Sequence, residues 1–443
     1  MSPAPAAPVA SVRAASVQQM SAARRSPIPP TAALFLLASI TLFFLAASSA
    51  PTPLYAVYQA HWGFSPITTT VVFGVYAVAV LVSLLVVGSL SDHVGRRPVL
   101  LAAIAVQMVA MVVFTTANGV TELFAARVVQ GLSTGSALGA VGAGMLDIDR
   151  VRGTVTNAVA PILGTASGAL LSGIFVQFLP VPTHLIYLVL LGVFALQAVG
   201  VLLMAETAQP RPGAWRSLRI QLGLPPAVRS AFLVAVPVLV ALWSLGGFYA
   251  SLGPALTRVV TGSSSPVLGG LGLAVLAFSG AAAVLVTRNA NPDRQMVLST
   301  IGLLVGVALT IVSVDELSTS LYFVGTVIAG AGFGAAFQGA IRTVIPLARV
   351  HERSGVLSLL FVVSYLALGL PAVIGGYLVV HDGGLVATAR TYGVAVMVLA
   401  GLALLGSLSR STAVRGLFSQ TRTVDVTSTR RCSAGTYGGS SSS

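Results

Sequence analysis

Twelve apolar runs of about 20 residues follow one another along the chain, each closed by a polar connection or one bearing proline and glycine. A helix rises about 1.5 Å per residue, so each run can cross the roughly 30 Å hydrocarbon core of a bilayer. The pattern predicts spans near residues 31–51, 67–87, 98–117, 121–145, 153–178 and 184–205, then 230–252, 266–287, 296–314, 318–341, 355–379 and 386–409. The longest internal connection carries "AETAQPRPGAWRSLRIQLGLPP" and parts the spans into two sets of six, as in a duplicated bundle. The expected architecture is an all-α polytopic membrane protein. A disordered tail (1–30) precedes a first six-helix bundle (31–205), a central loop (206–229), a second bundle (230–409) and a flexible tail (410–443).

Composition agrees with lipid as the solvent. Hydrophobic residues make up 56% of the chain and charged ones only 8%, against about 25% charged in soluble domains. The net charge of +13 comes entirely from arginine, since the chain has no lysine. All but three of the 24 cationic residues fall in alternate connections or the tails, leaving Arg258 and Arg390 on the opposite side and Arg127 within a span. Such alternation is the positive-inside signature. It places both termini in the cytoplasm and makes the basicity topological, which argues against nucleic acid as a partner. The "AASSAPTP" stretch after the first run has the look of a cleavage site, but the span count requires that run as a retained anchor.

Between the second and third spans lies "GSLSDHVGRRPVL", from Gly88 to Leu100. The chain must turn tightly there, and Gly88 and Gly95 supply conformational freedom. Asp92 lies within reach of Arg96 and Arg97, so a charge-assisted cluster can form in one conformation and break in another. A solvated loop with positive-inside arginines is the plainer reading. The spacing of Gly88, Leu90, Asp92, Gly95, Arg96 and Arg97 resembles the loop signature G-x-L-x-D-x-x-G-R-R of the major facilitator superfamily, with His93 where that family often has arginine. With twelve spans in two halves, the resemblance covers about 31–409. It implies a solute carrier working by alternating access, with a cytoplasmic latch formed by Asp92, Arg96 and an acid at the inner end of the fourth span, Asp147. The matching second-half loop, "TRNANPDRQ", keeps only scattered charges (Asp293, Arg294).

Arg127 is the one formal charge well inside a span. Residues 127, 130, 131 and 134 share a helix face, so Arg127, Gln130, Gly131 and Thr134 form a polar stripe. A mid-bilayer arginine costs about 2.5–3.5 kcal/mol on insertion scales, which turns such a stripe toward protein or a water-filled cavity. Snorkelling to the outer surface, about 9 Å away, is the competing reading. "RVVQG" resembles the superfamily's helix-four signature R-x-x-Q-G, whose arginine is associated with proton transfer in proton-coupled members; this favours the functional reading. No cofactor is expected, the proton gradient being the energy source.

On the fifth span Gly164, Gly168 and Ser172 recur four apart, a small-residue face suited to a sliding contact or to plain tight packing. With Gly173 they resemble, in degenerate form, the helix-five motif G-x-x-x-G-P-x-x-G-G of drug antiporters. A second glycine-rich stretch, "LGLPAVIGG", lies in span eleven without an assigned role. The resemblance makes helices one, four, seven and ten line the cavity. On these, Trp243, Phe248, Tyr249, Phe333, Phe337 and Gln338 are candidates for contacting an amphipathic solute, and each alone also serves as a packing residue.

All eleven acids fall at expected span ends, in loops or in the tail, so the usual embedded carboxylate of a proton carrier is missing. The leading expectation is an exporter of hydrophobic or amphipathic small molecules in exchange for protons. It is expected to act as a multi-pass monomer of the plasma (inner) membrane, with the lipid bilayer and a small-molecule substrate as partners. Transport of an organic anion or other metabolite is the alternative within the class, because a lone arginine attracts negative charge. A non-transporting receptor is the alternative outside it. No motif of an enzyme appears.

Overall fold

The computed structural model describes residues 27–432, and among them every regular element is helical. The expected N-terminal tail lies outside the described residues up to position 26, and the end of the C-terminal tail from 433. The long helices are α1 (Pro30–Trp62), α2 (Pro66–Val87), α3 (Arg96–Thr115), α4 (Val120–Ile148), α5 (Arg150–Phe178) and α6 (Pro182–Leu203). They continue with α7 (Pro226–Ser251), α8 (Pro266–Thr287), α9 (Pro292–Asp315), α10 (Thr319–Val344), α11 (Arg353–His381) and α12 (Gly384–Cys432). α1 runs further than the expected 31–51, breaking at Ala50 and resuming at Pro51. α7 likewise has a continuation, Gly253–Thr261.

Among the described residues, eleven helices are long and apolar enough to cross a membrane. The remaining one is α4, although it is 29 residues long. Its hydropathy is lowered by Arg127, Gln130, Ser133, Thr134 and a run of glycines, and those four polar side chains are all buried. Helices of low hydropathy survive in a bundle when protein, not lipid, receives their polar face.

The chain forms two compact units. Unit 1 holds residues up to Pro51, then Val78–Gly168 and Phe178–Ile220; unit 2 holds Thr52–Ala77, Ala169–Gln177 and the chain from Gln221 on. In unit 1 the glycines of α5 meet α1: a Cβ at Gly164 would overlap the Leu42 carbonyl, and one at Gly168 the Ala46 carbonyl. Backbones this close need glycine, and helices in lipid associate through such contacts. Ser172 is fully buried. In unit 2, a Cβ at Gly173 would come within 2.7 Å of the Pro266 carbonyl, at the start of α8. The stretch in α11 also packs there, with Gly369 against Gly74 and Ala77, and Gly376 against Thr70.

Candidate functional site

Three polar or aromatic centres carry the candidate residues. The first lies at the start of α3 in unit 1. Gly95 caps α3 with φ 108°, a left-handed backbone open to glycine at little cost. A Cβ there would also press within 2.7 Å of Glu206 Oε2. Gly88, by contrast, does not have a positive φ. Its contribution is close approach rather than the turn freedom expected, since α4 crosses it so tightly that a Cβ at Gly139 would sit 3.0 Å from its Cα. Leu90 accepts from the His93 and Val94 amides and shapes the turn between.

Arg96 is only 7% exposed and gathers the acids. Its Nη1 lies 2.5 Å from Asp92 Oδ1 and donates to Ser91 Oγ (2.7 Å), while Nε donates to Asp147 Oδ2 (3.1 Å). Ionised partners make these bonds stronger than neutral ones. The sequence had not singled out Glu206. Its carboxylate accepts from the Arg96 amide (2.7 Å) and the Arg97 amide (3.0 Å), covering the open N–H groups and positive end of α3. Arg97 returns the favour, donating to the Val201 and Leu202 carbonyls at the end of α6. The central connection docks on the same loop: the Arg211 amide donates to the His93 carbonyl, and Ser89 Oγ to the Ser217 carbonyl.

The matching corner of unit 2 is built with the charge on the other partner. Arg342, on α10, donates to Gln295 Oε1 (2.8 Å) and to the Ala290 carbonyl (2.9 Å). Gln295 Nε2 in turn donates to Gln338 Oε1 (2.7 Å) and the Ala335 carbonyl (3.1 Å). Gln338 is thereby engaged in this corner and not with the aromatic rings of α7. Asp293 and Arg294 accept no role in it; their amides donate to Asn291 in the α9 cap.

The second centre is the α4 stripe. Arg127 is fully buried, so it does not snorkel. Its Nη1 donates to the Ser48 carbonyl (2.8 Å) and to Gln130 Oε1 (2.7 Å), and its guanidinium carbon stands 5.8 Å from the Phe114 ring centre. Gln130 Nε2 donates to the Ala47 carbonyl (3.0 Å), and Thr134 Oγ1 to the Gln130 carbonyl. Pro51 explains the target. Proline has no N–H, so the Ala47 carbonyl four residues earlier loses its helical donor, and Gln130 supplies the replacement. A pair of α4 side chains thus holds the exposed backbone of a proline-broken helix. Gly131, on the same face, is buried.

The same device recurs in unit 2 with another donor. Pro254 takes the helical donor from the Ala250 carbonyl, and Thr52 Oγ1 donates to it at 2.9 Å. Thr52→Val keeps the shape and leaves that carbonyl unpaired. The expected result is a lower unfolding temperature in detergent, equivalent to about 1 kcal/mol; an unchanged melting curve contradicts the assignment.

The third centre is aromatic and lies in unit 2. Trp243 on α7 meets Phe337 (5.3 Å, edge-on) and Phe333 (5.9 Å, edge-on) of α10, and Tyr365 of α11 (5.9 Å, stacked). Its indole nitrogen is buried without a hydrogen-bond partner. Tyr365 was outside the expected lining because α11 was not among the cavity helices. Phe248 and Tyr249 stand apart from this cluster. Phe248 packs on Tyr392, and Tyr249 bonds to Thr326 Oγ1 (2.9 Å) and stacks on Tyr322.

A bundle of apolar helices with a charged cluster at one end and a buried polar stripe is the build of a membrane transporter, not of an enzyme. The chain belongs to the Major Facilitator Superfamily, whose family model matches residues 36–370. It is similar to the Cephamycin export protein CmcT of Amycolatopsis lactamdurans, 32% identical over 48% of this chain and 44% of that one. It also resembles the Multidrug resistance protein D of Escherichia coli (44% identical, 14% of this chain and 16% of that one) and the Citrate exporter 1 of Aspergillus niger (32%, 28% and 25%). The matched segments span less than half the length of each of these relatives. Among solved structures, the nucleoside transporter NupG aligns over 86% of this chain and 98% of its own, with TM-score 0.65 and 12% identity. A bacterial homolog of the human lysosomal transporter Spinster aligns over 85% and 97%, with TM-score 0.69 and 14% identity. At these identities the two structures speak for the fold alone.

Proposed function

We propose that the protein exports amphipathic small molecules by alternating access, in exchange for protons. The observation that carries this reading is the ring cluster of Trp243, Phe333, Phe337 and Tyr365 with its unpaired indole N–H. Four aromatic rings and one unpaired indole N–H suit a solute with a flat apolar body and an acceptor. A buried donor without a partner costs about 1–3 kcal/mol, which a bound acceptor returns. Export as the direction draws support from the names of the relatives, two of which are called exporters of a cephamycin and of citrate.

Proton exchange has its candidate acids at the latch. Among the described residues the only buried charged side chains are Arg96 and Arg127. Asp92 and Asp147, with side chains 50% and 34% exposed, are open to solvent while bound to Arg96. Protonating either removes its charge from the cluster and weakens it.

The test is flux of a panel of amphipathic dyes into proteoliposomes under an imposed pH gradient. Gradient-driven movement is expected. Trp243→Phe keeps a ring and loses the donor, so KM is expected to rise about tenfold for acceptor-bearing dyes and to change little for dyes without an acceptor. Flux indifferent to the gradient refutes proton exchange, and tight binding with no flux for any solute refutes transport.

A further inference from the structure

Two arginines lie on the side of the membrane opposite the arginine-rich connections, where the positive-inside rule disfavours them. Arg390 is accounted for by Asp315, to which its Nη2 comes within 2.5 Å. Arg258 has no acid within ion-pair distance among the described residues. It sits on the Gly253–Thr261 continuation of α7 and lines a cavity of about 290 Å³ in unit 2. The wall also includes Pro53 and Val57 from α1, Pro254, and the polar side chains of His61 and Ser264. His61 Nδ1 donates to the Val57 carbonyl (2.8 Å), which fixes the ring at the rim. Among the described residues Ser264 Oγ makes no hydrogen bond.

We infer that this cavity is a binding site for an amphipathic anion: an apolar body against the prolines and Val57, and an oxyanion head, carboxylate or phosphate, on Arg258. A guanidinium is charged at every physiological pH and presents a planar fork of donors matched to two oxygens of one acid group. The volume is at the lower end of small-molecule sites, of about 300–1,000 Å³, so a compact monoanion fits and a large solute does not. Pro53, Pro254 and Pro266 stiffen the backbone of the wall, so its shape is largely set before a ligand arrives. The site goes beyond the transport reading, because occupancy requires neither flux nor proton coupling.

The head can belong to a free solute or to a lipid, and the experiment separates them. The full-length protein, in nanodiscs of phosphatidylcholine, is dialysed to equilibrium against radiolabelled 4-phenylbutyrate and its neutral amide, with empty nanodiscs as the baseline. The acid is expected to bind at least tenfold more tightly than the amide. Arg258→Gln is expected to abolish that preference and Arg258→Lys to keep part of it, both with the melting temperature of the parent, since Arg258 is exposed. Repeating the measurement with phosphatidylglycerol in the nanodisc identifies the source. Displacement of phenylbutyrate supports a lipid phosphate as the natural head, and undiminished binding supports a free acid. Equal binding of acid and amide by the parent, or a preference that survives Arg258→Gln in a folded protein, overturns the site. Neither result touches the Trp243 test of transport.

Discussion

Replacing Arg127 with methionine is expected to lower the unfolding temperature sharply and to reduce flux at least tenfold. The side chain lies at 0% exposure and bonds to the Ser48 carbonyl and to Gln130 Oε1. Methionine fills much of the volume and strands two acceptors away from water. Each unpaired buried group costs about 1–3 kcal/mol in general, although hydrogen bonds inside membrane bundles average nearer 0.6 kcal/mol. The expected loss is therefore about 1–4 kcal/mol, the upper part of which would leave little folded protein. Arg127→Lys keeps the charge and a nitrogen able to donate to both acceptors that Nη1 now holds, but on a side chain of different length and shape, and an intermediate result is expected. Gln130→Leu frees the Ala47 carbonyl that Pro51 has already deprived of its donor. Arg127 and Gln130 share a hydrogen bond, so the double variant should cost less than the sum of the singles. The decisive measurement compares gradient-driven flux with gradient-independent exchange in proteoliposomes. If Arg127 holds α1, both fall together. Loss of gradient-driven flux alone, with exchange and melting temperature intact, refutes the clamp and gives the fixed positive charge of the arginine a part in coupling flux to the gradient.

Much of this was legible in the sequence. Run length and the alternation of arginines identify the helices, because in lipid a backbone has no partner but itself. The stripe of Arg127, Gln130 and Thr134 follows from 3.6-residue spacing, and its burial from the cost of a charge in hydrocarbon. Its partner did not follow. The carbonyls of Ala47 and Ser48 lie about 80 positions away in the chain, and the signal that could have found them was Pro51, in a stretch that also looked like a cleavage site. Glu206 was visible as an acid at the end of a span; its bonds to two amides of α3 depend on a meeting of helix ends that no local pattern encodes. The aromatic residues of α7 were visible too. Their division into a cluster around Trp243 and another around Tyr249 is a matter of which way successive residues face once α10 and α11 are packed. Tyr365 entered through that packing alone.

The Arg96 cluster yields the second large effect. Arg96→Gln is expected to release Asp92 and Asp147 together and, with them, the order of the loop between α2 and α3. The arginine is nearly buried while its acids are half to one-third exposed, so water screens part of the attraction. Removing one partner of a fully buried pair costs about 3–5 kcal/mol, and exposed pairs contribute less than about 1 kcal/mol; a loss of about 1–3 kcal/mol is expected here. Glu206→Gln tests the other half of the corner. Its amide can still accept one backbone hydrogen bond but carries no charge for the positive end of α3, which typically contributes about 0.3–1 kcal/mol. The two variants therefore rank, with Arg96→Gln the more damaging. If the corner is a latch whose charge matters, both variants should also raise the exchange rate of amide hydrogens across residues 88–97, measured by mass spectrometry. The Arg342→Gln control, in the corner where no acid takes part, should leave exchange across 88–97 unchanged. Equal protection of that loop in Arg96→Gln and in the parent removes the ion pairs from any role in holding it. Faster exchange confined to Glu206→Gln assigns the restraint to the helix cap instead.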